Sequence, residues 1–120
     1  MDVKTQYWLH ENRNTVSQFL TWIIALVLWG PGIPLAFGAL GGNSDMAVGL
    51  AVVTSATALV LLIVGTTVVT AYKNLTADIP EEALDLAFAQ AEKKNPFGFF
   101  TAVTILLPVA ILAGHLLVLF

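Results

Sequence analysis

Few side chains in this sequence could do chemistry, and the one that stands out is His115. It is the single titratable side chain within Phe97–Phe120, a run that otherwise has no charged or titratable side chain. A haem held by two histidines needs both at one depth. The only other histidine is His10, in the polar leader at the opposite end of the pattern. His115 could therefore serve a haem or a quinone only with a neighbouring subunit, or with a second copy across a symmetric dimer. The plainer alternative is an imidazole bonded to a backbone carbonyl, water or a lipid headgroup. No histidine and carboxylate fall at the same depth, so a Ser-His-Asp triad is not supported. The chain has no cysteine, which removes disulfides, thiolate metal sites and a cysteine nucleophile. No catalytic residue and no metal ligand set is expected from this chain alone.

The elements that would position these groups are three uncharged apolar runs. The longest, Ala47–Tyr72, holds 26 residues between Asp45 and Lys73. At 1.5 Å per helical residue it reaches about 39 Å, more than the ~30 Å hydrocarbon layer of a bilayer. It never alternates as a strand would. The first run, Phe19–Leu40, follows Thr15-Val16-Ser17-Gln18, which fits a capping box and predicts a helix start near Val16. A cleavable signal peptide is the other reading of this run. The long leader with Asp2 and Glu11, and an apolar stretch beyond 7–15 residues, argue against it. Spans are thus expected over about 16–40, 47–72 and 97–120. Pro31 and Pro34 within the first, and Pro108 within the third, predict helix kinks or breaks. His115, about 27 Å along the third helix from Phe97, is expected near the outer interface.

Between the second and third runs, Pro80–Lys94 has helical spacing. Ala83, Leu84, Ala87, Phe88 and Ala91 share one face, and Glu81, Asp85 and Glu92 another. Asp78 is expected to cap it, and Lys93 and Lys94 suit its C-terminus. Its acidic character disfavours an anionic lipid surface. Leu84, Ala87, Phe88 and Ala91 are therefore expected to dock on protein. The predicted class is an all-α membrane protein: three transmembrane helices with a short cytoplasmic amphipathic helix between the second and third, in one domain.

Composition supports that class and sets the partners. The 120 residues are 58% hydrophobic and 11% charged, where a soluble domain carries roughly 25% charged residues. With a net charge of −3 and five scattered basic residues, nucleic-acid binding is not expected. All five basic residues fall on one side of a three-span topology. The positive-inside rule then places the N-terminus in the cytoplasm and the C-terminus outside. Tyr7 and Trp8 suit the headgroup level. Small residues recur at close-packing spacing: Ala47, Ala51 and Ser55; Gly38 and Gly42; Ala110 and Gly114.

None of the spans holds Asp, Glu, Lys or Arg, the residues that mark proton relays and ion pathways. The expected function is a non-catalytic accessory subunit of a multisubunit membrane complex. A respiratory or other oxidoreductase assembly in a prokaryotic cytoplasmic membrane is the expected setting. Other membrane subunits and lipid are the expected partners, with haem or quinone shared at most with a neighbour. The alternatives are a homo-oligomeric pore, transporter or holin-like protein built on the threonines of the central helix, and an anchor that completes a haem or quinone site through His115.

Overall fold

A computed structural model describes residues 2–120. These residues form α1 (Val3–Ala39), α2 (Ser44–Ala77), α3 (Ala87–Lys93) and α4 (Phe97–Leu119), with a 3-10 turn at Glu81–Ala83. α1, α2 and α4 are each long and apolar enough to cross a membrane. They run up, down and up in a rod 60 Å long and 23 by 18 Å across.

α1 begins at Val3, well before the capping box. Asp2 is its cap, its carboxylate accepting from the Thr5 amide at 2.7 Å. Thr15 caps nothing; its hydroxyl donates to the Glu11 carbonyl one turn back, at 2.9 Å. Threonine serves either purpose, and burial decides between them. The polar leader stays helical because Thr5, Trp8, Asn12 and Thr15 form a buried face. Trp8 is accordingly buried within the bundle, while Tyr7 is exposed.

Three tryptophans fix the register of α1 on α2. The indole N–H of Trp8 donates to the Leu75 carbonyl at 2.8 Å and that of Trp22 to the Leu61 carbonyl at 2.8 Å. The Trp29 indole donates to the Thr54 hydroxyl at 2.9 Å. Donors spaced 14 and 7 residues apart meet acceptors with the same spacings in reverse. That is the heptad seam of two antiparallel helices. Trp22 lies flat where α2 has Gly65, and a Cβ there would sit 2.8 Å from the indole. Around it Trp22, Leu26, Trp29, Ile33, Ala47, Ala58, Leu61 and Leu119 form the main core.

The segment predicted as one helix over 80–94 is two short pieces. Asp78 closes α2 instead of opening a helix, and α3 starts only after Leu86. The reason lies in Trp8, which packs with Ala83 and Ala89, both fully buried, and meets the Phe88 ring in a tilted pair with centroids 5.3 Å apart. On a single helix Ala83 and Ala89 would point roughly 120° apart, so the chain bends to put both on the indole. Ala87 and Ala91 face outward and Leu84 is half-buried.

Candidate functional site

His115 is 3% exposed and lies at the point where α1, α2 and α4 meet. Its Nε2 is 2.7 Å from the Gly30 carbonyl oxygen and its Nδ1 is 2.6 Å from the Thr54 hydroxyl. The Trp29 ring meets the imidazole edge-on at 5.1 Å. The partners set the tautomer. A carbonyl only accepts, so Nε2 carries the proton and donates to Gly30. In the neutral ring Nδ1 is then bare and accepts from the Thr54 hydroxyl, which in turn accepts from the Trp29 indole. One directed chain, Trp29 to Thr54 to His115 to Gly30, crosses all three long helices.

The Gly30 carbonyl is available because of Pro34. A helical carbonyl normally accepts from the amide four residues on, and proline has none. The prolines do not interrupt α1, which stays helical through Pro31 and Pro34 to Ala39. α4 likewise continues through Pro108, which is fully buried. In an apolar environment a freed carbonyl must find a partner on a neighbouring helix, and His115 supplies it. Gly30 and Thr54 stand about ten residues, or ~15 Å, from the Leu40–Asn43 turn. His115 thus lies deeper than its place near the end of α4 suggested, because the α1–α2 hairpin extends beyond α4.

A second polar cluster closes the other end of the bundle. The Tyr72 hydroxyl donates to a Glu92 carboxylate oxygen at 2.5 Å, and the Asn95 amide donates to the other at 3.3 Å. The side chains of Asn12 and Asn95 also hydrogen-bond the phenol. At the start of α1, the Thr5 hydroxyl and the Asp2 amide both donate to one Glu82 oxygen, at 3.0 and 3.1 Å. The Thr5 amide, with the Thr5 hydroxyl, holds the Asp2 carboxyl below the usual carboxylate range. Among the described residues no buried side-chain nitrogen or oxygen is left without a partner.

The small-residue positions divide. Ala47 is buried and Ala51 packs on the main core. Gly42 takes a positive φ of 63° in the turn. Ser55, Ala110, Gly38 and Gly114 face outward, and a Cβ on either of the last two would meet nothing within 4 Å. The close approach that does need a glycine is Gly65 under Trp22. The heptad spacing of Trp8, Trp22 and Trp29 was the signal that could have revealed it. The hydroxyls of Thr57, Thr66, Thr67 and Thr70 donate to carbonyls of their own helix. No protein-family model, curated protein or solved structure matches the chain.

Proposed function

We propose that this chain is an integral-membrane accessory subunit, a three-helix structural element of a larger membrane complex. The observation that carries the reading is the way its polar groups are spent. The His115 imidazole, the Thr54 hydroxyl and the three indoles each bond one helix to another, Thr15 and Thr104 bond carbonyls of their own helices, and all of these side chains are buried. The outer surface is apolar on every long helix, with Leu28, Leu35, Val52, Leu59, Leu106 and Leu117 each more than half exposed. Such a surface suits lipid and neighbouring helices. The outward-facing Gly38, Ala110 and Gly114 leave room for another helix to approach.

The complex we have in mind is a respiratory or other oxidoreductase assembly of a prokaryotic cytoplasmic membrane. Lys4, Arg13, Lys73, Lys93 and Lys94 belong to the end that carries the α1 start and the 78–96 segment, so that end is assigned to the cytoplasm. The exposed Ala87 and Ala91 beside half-buried Leu84 offer a small apolar strip for a partner there. A haem on His115 would require its bond to Thr54 or Gly30 to be released. The test is purification of the tagged chain from its native membrane in mild detergent. Retention of defined partner subunits in fixed ratio supports the proposal. A homo-oligomer without partners would favour the pore or holin-like reading.

A further inference from the structure

The polar end of the bundle sorts its charges by depth. Asn95 stands beside Val16, Phe19 and Tyr72, in the layer where the apolar runs of all three long helices begin. Lys93 and Lys94 immediately precede it, Lys73 follows Tyr72, and Arg13 lies three residues before Val16; all four are exposed. Among the described residues none of the four has a carboxylate partner. We propose that Lys93 and Lys94, with Lys73 and Arg13 at the same level, form a belt that binds the headgroup phosphate of anionic phospholipids in the cytoplasmic leaflet.

The acidic residues of the 78–96 segment do not oppose this. Glu92 turns inward to Tyr72 and Asn95, and Glu82 to Thr5 and Asp2. Asp78 and Glu81 line a hollow with Trp8 and Lys4. Trp8 is eight residues before Val16 on α1, so that hollow lies about 12 Å farther from the apolar layer. Exposed charges that far apart are largely screened at physiological ionic strength. α3 climbs from one level to the other, since Ala89 packs on Trp8 while Glu92 reaches Tyr72. The charges it turns outward at its upper end are then both cationic. Depth completes the choice of partner. A phosphodiester at the headgroup level meets the cations while its acyl chains run past Phe99, which is 64% exposed in the first turn of α4. A water-borne acidic peptide would match the charge and leave that ring uncovered. The inference rests on the membrane placement proposed above.

Native mass spectrometry of the full chain in detergent tests it, with phosphatidylglycerol and phosphatidylcholine of identical acyl chains titrated in turn. The first phosphatidylglycerol is expected to bind more tightly than the first phosphatidylcholine. Lys93→Gln and Lys94→Gln should each weaken it about fivefold, the size of one juxtamembrane charge, and leave phosphatidylcholine unchanged. Lys4→Gln, which removes a charge from the acidic hollow, should change neither. Glycerophosphoglycerol, the same headgroup without chains, should not displace the lipid at equal concentration. Equal affinities for the two lipids in the parent would overturn the proposal. So would equal losses from Lys4→Gln and Lys94→Gln, or displacement by the chainless headgroup. Because binding is read on the isolated chain, its outcome is separate from partner retention during purification, on which the accessory role rests.

Discussion

The Nε2 of His115 lies 2.7 Å from the carbonyl oxygen of Gly30, the group that Pro34 deprives of its helical partner. A histidine on α4 thus repairs a vacancy made by a proline on α1, and the two substitutions should be coupled. His115→Leu leaves the Gly30 carbonyl unsatisfied in an apolar core and should cost about 2 kcal/mol. Pro34→Ala restores an amide to that carbonyl. In the Pro34→Ala background the cost of His115→Leu should fall by about 1 kcal/mol. Thermal unfolding in detergent of the four proteins measures the cycle, and strict additivity would mean the bond is not made.

Gly65→Ala should destabilise the α1–α2 pair by about 1–3 kcal/mol, the usual cost of overpacking. Its methyl would sit 2.8 Å from the Trp22 indole, a rigid ring whose N–H is already held by Leu61. Gly114→Ala meets nothing within 4 Å and should leave the melting temperature unchanged. Equal stability of the two variants would contradict the placement of Trp22.

At the polar cap, Trp8→Phe removes the indole bond to the Leu75 carbonyl and keeps an aromatic against Phe88. The expected loss is about 1 kcal/mol. It should be read out as faster trypsin cleavage at Lys93 and Lys94, since α3 rests on that indole. Cleavage at the parental rate would show that the cap does not depend on Trp8.

The Asp2 cap has a pH dependence of determined sign. Its carboxyl is held below the usual range by the Thr5 amide, so the folded form is the one that gives up the proton more readily. The cap's stabilisation is therefore complete above the ordinary carboxylate range and is lost as pH falls through the lowered value. The protection factor of the Thr5 amide, its exchange relative to the intrinsic rate at the same pH, should fall on acidification in the parent. In Asp2→Asn that acid-dependent step should vanish.

The absence of cysteine makes orientation easy to read. Lys94→Cys should react with an impermeant maleimide only from the cytoplasmic side, and Ser44→Cys only from the opposite side. The reverse pattern would invert the assigned topology.

Much of this architecture could be read from the sequence, for reasons that mark its limits. The three long helices follow from runs with no charged side chain, a signal set by the composition of whole segments. The start of α1 was misplaced because Thr15 has two uses, and only burial of Trp8 and Asn12 selects the helical one. Pro80–Lys94 read as a single helix because its apolar spacing is regular, while Trp8, far away in the chain, demands a bend. For His115, a bond to a backbone carbonyl was one reading in view. Which carbonyl it meets depends on Pro34 and on the relative depth of two helices, which no local pattern states.

Every buried polar side chain of the described residues is bonded within the bundle, to a neighbouring helix or to its own, so the chain alone is expected to offer no pathway across a membrane. Solute release from liposomes containing the purified chain by itself tests this most directly. Release no faster than from protein-free liposomes is predicted. Rapid, protein-dependent release would contradict it.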